Sequence, residues 1–144
     1  MDNPAPDAAA LAHELRISVM RFSRRLRSQR VDTSVTLTHL SAMSTLRRHG
    51  AMSAGELAAH ERVQPPSMTR VVVALEGMGL VTRSPHPTDG RQVVIELTAA
   101  AEQLLTAEAQ AREAWLSGQL GELTDEERTV LREAATIMEK LAAR

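Results

Sequence analysis

Apolar residues recur at spacings of three and four along most of the chain, switch once to every second position, and then return to the helical period. From Ala8 to about Ser28, Leu11, Leu15, Val19, Phe22 and Leu26 trace one face of a helix. Its outer side carries Arg21, Arg24 and Arg25 but also Ile17 and Met20. A helix apolar on two sides is usually buried on two sides, and in so short a chain the second partner is expected to be another subunit. Residues 31–35 read as a loop. A second helix is predicted over about Leu37 to His49, with Leu37, Leu40, Met43 and Leu46 in register and Gly50 as its stop. Ser53-Ala-Gly-Glu56 is a capping box that opens a short helix to about Glu61. After a break at 62–64, Pro65-Pro66 can start another, because the first helical positions need no N–H donor. That helix runs to about Met78. Met68, Val71, Val72, Leu75 and Met78 form its expected buried stripe, and Pro66, Thr69, Arg70, Val73 and Gly77 face the other way.

The period then becomes two. Leu80–Ser84 and Arg91–Leu97 read as strands, with Val93, Ile95 and Leu97 on one face. They flank Pro85-His-Pro-Thr-Asp-Gly90, a loop ending in an Asp-Gly turn, which makes a hairpin with an exposed tip. Thr98 caps a long helix to about Leu120, with Leu104, Leu105, Ala109, Leu116 and Leu120 on its apolar side. Thr124-Asp-Glu-Glu127 is a second capping box, and Val130, Leu131, Ala134, Ile137, Met138 and Leu141 are the expected buried stripe of the last helix.

This order predicts a mainly α fold with a small β-hairpin. A short helix, a tight turn and a second helix over 53–78 have the lengths of a DNA-reading unit, and the hairpin behind them is a wing. The fold class is therefore a winged helix-turn-helix with N- and C-terminal dimerisation helices. The predicted regions are 1–35 (tail and dimerisation helix), 36–98 (DNA binding) and 99–144 (dimerisation).

Composition narrows the chemistry. The 144 residues suit one domain or one unit of an intertwined dimer. Phe22 and Trp115 are the only aromatic residues, so the core must come from Leu, Val, Met and Ala. No cysteine is present, which removes disulfides, thiolate metal sites and cysteine redox switching. The five histidines never fall at i, i+4 with a carboxylate partner, so no metal motif is legible and no cofactor is expected. No nucleophile elbow, phosphate loop or paired-acid spacing appears, which argues against an enzyme. The start of the chain lacks a secretory pattern, and no apolar run reaches a membrane span; a cytoplasmic, nucleoid-associated protein with no membrane partner is expected. Net charge is -1, yet residues 1–50 hold eight Arg against four acids, while 99–144 hold five bases against nine acids. The Arg-rich front is expected to be solvated or paired with acidic helices; the sharper alternative is that Arg24, Arg25, Arg47 and Arg48 widen a footprint on DNA.

Function then follows from the turn and wing. Ser67, Thr69 and Arg70 lie in the first turns of the 65–78 helix, whose N-terminal end suits phosphate through unpaired N–H groups. Arg can take a guanine edge or a phosphate, and Ser and Thr are versatile donors and acceptors. Arg91, beside Asp89 and Gly90, can enter a narrow minor groove. Arg83 is expected to pair internally or touch backbone phosphate, and Asp89 to hold the turn. The candidate DNA-binding residues are Gln64, Pro66, Ser67, Thr69, Arg70, Arg83, Asp89 and Arg91, and the partner is double-stranded DNA. The alternative is a winged-helix module for protein–protein interaction without specific DNA binding.

Ser67-Met-Thr-Arg70, Leu75-Glu-Gly-Met-Gly-Leu-Val81, Arg83, Asp89-Gly-Arg91 and Leu97-Thr98 together resemble the MarR family of bacterial transcription regulators. The resemblance implies a homodimer with intertwined terminal helices, for which Leu11, Leu15, Ile17, Leu116, Leu120, Ile137 and Leu141 are the candidate contacts. It implies a repressor on a pseudo-palindromic operator, released by a small anionic or lipophilic effector. Met20, His39 and Met43 are the candidate pocket residues. Two positions depart from the family pattern. The wing reads Asp-Gly-Arg without a second Arg in the middle, which implies weaker wing affinity, and Ala101 stands where a Gly often follows the Leu-Thr pair.

Overall fold

The computed structural model describes Ala5 and residues 7–144. It separates into two compact units: the described residues up to Arg30 together with Ala111–Arg144, and Val31–Gln110. In chain order the elements are α1 (Ala8–Arg27), α2 (Leu37–His49), β1 (Met52–Ser53), α3 (Ala54–Glu61), α4 (Pro65–Gly77), β2 (Val81–Pro85), β3 (Val93–Leu97), α5 (Ala99–Gly121) and α6 (Asp125–Ala142). The mainly α architecture with a hairpin wing is thus the one the hydrophobic pattern predicts.

The Val31–Gln110 unit owes its shape to a core without aromatic rings. Leu40, Met43 and Leu46 of α2, Leu57 and Ala58 of α3, Met68, Val72 and Leu75 of α4, and Val81 and Ile95 of the sheet bury together. Ala101 and Leu105 join them, so the unit takes in α5 as far as Gln110. The sheet is antiparallel in the order β1-β3-β2, with Met52 opposite Ile95 and Val81 opposite Leu97. β1 is a third strand that the sequence pattern does not predict; two residues are too few to show alternation. Three residues expected inside lie outside: Leu37, Met78 and Val93 are all at least 42% exposed. Leu37 and Val93 open their elements and Met78 closes one, so each stripe runs past the edge of the core.

Backbone hydrogen bonds fix the corners. At the end of α4, Leu80 N–H donates to Leu75 O (2.9 Å) and Gly79 N–H to Glu76 O (3.0 Å), with Gly79 at φ 73°. The end of α3 has the same pair of bonds: Val63 N–H to Ala58 O (3.0 Å) and Arg62 N–H to Ala59 O (3.2 Å). There the left-handed position is held by Arg62 (φ 53°, ψ 43°), the only non-glycine residue with positive φ among those described. This is the Schellman arrangement, in which glycine is preferred because a Cβ costs roughly 1–2 kcal/mol in that region. Thr98 ties a third corner. Its N–H donates to Leu80 O (3.1 Å), its hydroxyl donates to Gly79 O (2.8 Å), and the same oxygen accepts from Ala101 N–H (3.3 Å).

The other unit is built differently. Neither α1 nor α6 buries a single described residue fully. Thr124 and Glu127 close the capping box that starts α6, as predicted. The apolar stripe of α6, expected to be buried, is open: Val130 is 63% and Ile137 57% exposed, and Leu131, Met138 and Leu141 are also exposed. The rings of Phe22 and Trp115 meet with centroids 6.2 Å apart at 41°, an ordinary tilted packing of two aromatic groups.

Thr98→Ala removes a helix cap and the bond to Gly79. Urea unfolding at fixed protein concentration should show a loss of about 1 kcal/mol with unchanged denaturant slope. A loss near zero would mean that water replaces both bonds.

Candidate nucleic-acid interface

α4 presents one face to the core and one to solvent. Met68, Val72 and Leu75 point inward, at the i, i+4, i+7 positions the sequence shows. Gln64, Pro66, Ser67, Thr69, Arg70 and Val73 are exposed. With 13 residues the helix is about 20 Å long, enough to lie across a major groove. Thr69 Oγ1 donates to Pro65 O (3.1 Å), so its hydroxyl offers outward lone pairs rather than a proton. The side chain of Arg70 makes no hydrogen bond or ion pair among the described residues.

One expectation about this helix needs correcting. Its first helical residues, 65–67, do not offer free backbone donors. Pro65 and Pro66 have no N–H, and the N–H groups of Ser67 and Met68 both donate to Gln64 O (3.0 and 3.1 Å). The dipole remains, but residues 65–67 leave any hydrogen bond to a phosphate from these positions to their side chains.

The wing is set beside α4 by an ion pair. Arg83 Nε and Nη2 donate to the two carboxylate oxygens of Glu76, each at 2.8 Å. This bidentate geometry holds the Glu76 carboxyl below its ordinary range and raises the Arg83 guanidinium, chiefly through the hydrogen bond. The two side chains are 42% and 39% exposed, so solvent screens the pair. Arg83 therefore does what the sequence suggested as one option and pairs internally. Its partner was not anticipated, because Glu76 is seven residues away across a turn rather than at helical spacing.

The wing tip is a loop of residues 86–92, and β3 begins at Val93, two residues later than the pattern implied. Arg91 thus belongs to the loop. His86 organises it: Nδ1 accepts from Thr88 N–H (3.2 Å) and Asp89 N–H (3.1 Å), so the ring proton sits on Nε2. His86 N–H donates to Gln92 O and Gln92 N–H to Asp89 O, both at 3.0 Å. Asp89 Oδ1 accepts from Arg91 N–H at 3.1 Å, the turn-holding role expected of it. The Arg91 side chain stays exposed and makes no bond among the described residues.

The candidate effector residues fare differently. Met43 has no exposed surface and is a core side chain of α2, not a pocket wall; it completes the Leu40–Leu46 stripe. His39 Nδ1 accepts from Thr36 N–H (3.2 Å) while Thr36 Oγ1 accepts from His39 N–H (3.2 Å), so its ring serves the cap of α2. Met20 is exposed on α1, in the other unit.

Comparison with known proteins decides the family. The family profile described as MarR family matches residues 35–93. The uncharacterized HTH-type transcriptional regulator Mb0904 of Mycobacterium bovis is 48% identical over 130 residues, covering 90% of this chain and 91% of that protein. The chain belongs to the MarR family. The HTH-type transcriptional repressor NicR of Pseudomonas putida is 32% identical over 108 residues, 74% of this chain and 68% of its own length. A MarR family protein from Bacillus stearothermophilus has the same fold, with a TM-score of 0.75 at 23% identity over 97% of this chain and all of its own. Like other MarR proteins, this one is a DNA-binding transcription regulator and not an enzyme.

The Glu76–Arg83 pair gives a pH test. Glu76 is lowered in the folded state, so its contribution is present above the unfolded pKa and lost as pH falls through the folded one. The NMR titration midpoint of the Glu76 carboxyl should lie below the ordinary glutamate range and return to it in Arg83→Met. The protection of amides in β2 and β3, corrected for the intrinsic slowing of exchange in acid, should fall as Glu76 protonates in the native chain and show no such step in Glu76→Gln. An unshifted midpoint would mean the pair does not hold the wing in solution.

Proposed function

We propose that this MarR protein is a homodimeric, sequence-specific repressor that reads a pseudo-palindromic operator through α4 and the wing. The observation that carries the reading is that Thr69 and Arg70 on α4, and Arg91 on the wing, lie outside the core of one compact unit with both guanidinium groups unengaged. Arg70, Ser67 and Thr69 would meet base edges, with Gln64 and Pro66 at the groove wall. Arg91 would enter the minor groove, held by Asp89, and Arg83 would offer its remaining N–H groups to the backbone. The near-neutral net charge does not oppose this, because contact depends on the local set of cations.

Dimerisation would cover the apolar residues of α1 and α6. Leu11, Leu15, Ile137 and Leu141 are exposed in the single chain, while Ile17, Leu116 and Leu120 are half-buried. Such a run of open side chains is the mark of an interaction surface. None of the described helices is long and apolar enough to cross a membrane, so lipid is not what covers it as a spanning helix. A twofold mate would place a second α4 about 34 Å away, one helical turn along the duplex, matching half-sites about 10 base pairs apart. The site of action would be the cytoplasmic chromosome. The word repressor rests on the name of NicR.

Fluorescence anisotropy with a duplex enriched from random-sequence DNA should show binding that weakens steeply with salt. Arg70→Ala should lose about tenfold or more in affinity. Salt-independent or absent binding would favour a protein partner instead. In sedimentation equilibrium the native chain should be dimeric and Ile137→Asp shifted toward monomer; a monomeric native chain would end the operator geometry.

A further inference from the structure

Arg62 joins two observations that have no common explanation inside the chain. It occupies the left-handed position of a helix stop, where the same unit uses Gly79 for the identical pair of backbone bonds. Its side chain is exposed and makes no hydrogen bond or ion pair among the described residues, so neither packing nor pairing there accounts for a long cationic residue. A strained backbone position filled by a residue that the fold does not use points to a use outside the fold.

Its place says which. Arg62 is two residues before Gln64, the residue that caps α4 without a side-chain bond. The first turn of α4 carries no acid to repel an anion, and its two prolines and the bond of Ser67 N–H to the Gln64 carbonyl leave residues 65–67 no free N–H to hold one. When a recognition helix enters a major groove by its N-terminal end, the segment just before it meets the phosphates that border the groove. In most helices backbone donors would serve those phosphates. Here residues 65–67 supply none, a side-chain donor can take their place, and Arg62 is the nearest cation preceding the helix in sequence.

We infer that Arg62 is a DNA-backbone contact, taking a phosphate oxygen at the groove edge and replacing the amide donors that Pro65 and Pro66 remove. This rests on the reading of α4 as the recognition helix. The contact carries no sequence information; it sets register and adds to the salt-dependent part of binding.

The test compares Arg62→Gly, Arg62→Ala, Arg62→Lys and Arg70→Ala on the enriched duplex across a salt series. Arg62→Gly should unfold at a temperature no lower than the native chain, yet bind more weakly, with the slope of log K against log salt reduced by about 0.9 for each protomer engaged. Arg62→Ala, which keeps the Cβ, should reduce the slope equally, and Arg62→Lys should restore it. A native slope in both Arg62→Gly and Arg62→Ala, with Arg70→Ala weakened, would overturn the Arg62 contact alone. Native affinity in Arg70→Ala and the Arg62 variants together would overturn the α4 reading itself.

Discussion

The burial of one side of α4 is the constraint on which the interface depends. Met68, Val72 and Leu75 are held against α3 and the sheet, with Leu57 and Ile95 fully enclosed. Replacing a leucine of such a core by alanine typically costs 2–5 kcal/mol, so the rotation of α4 about its axis is firmly set. Once those three side chains point inward, Ser67, Thr69 and Arg70 must point outward. The wing inherits its position from the same core, since Val81 and Ile95 bury and Arg83 reaches back to Glu76. The exposed face of α4 is thus held rigid by an aliphatic core of Leu, Met, Val, Ile and Ala.

The two units divide the work by how they bury apolar surface. Val31–Gln110 satisfies its hydrophobic pattern internally, while α1 and α6 leave theirs open. An apolar stripe in water is unstable against association, and in the proposed dimer a twofold mate would cover it and also duplicate α4. The charge asymmetry fits this division. The positive excess lies in the first thirty residues, whereas the proposed interface would depend on a few unengaged cations placed by the backbone.

Much of this was legible from the sequence because the signals were local. The capping boxes at Ser53 and Thr124 gave the starts of α3 and α6, and the i, i+4, i+7 spacing of Met68, Val72 and Leu75 gave the inner face of α4. What escaped was non-local or too short. β1 has two residues, and Glu76 finds Arg83 only because a turn folds the hairpin back. Met43 reads equally as core or pocket wall until its neighbours are known. The paired prolines mark a helix start, but their effect on the donors of α4 emerges only with the bonds of Ser67 and Met68 to Gln64. The αL backbone of Arg62 has no sequence signal, since arginine is not a residue that announces it.

The central claim is that duplex DNA meets the polar face of α4 and the wing tip. Amide NMR of the full chain, titrated with the enriched duplex and with heparin as a polyanion control, reads this directly. The account predicts that DNA shifts concentrate at Ser67–Arg70 and at Asp89–Arg91, with heparin failing to reproduce the pattern on α4. Shifts confined to α1 and α6, or identical for the two polymers, would contradict it.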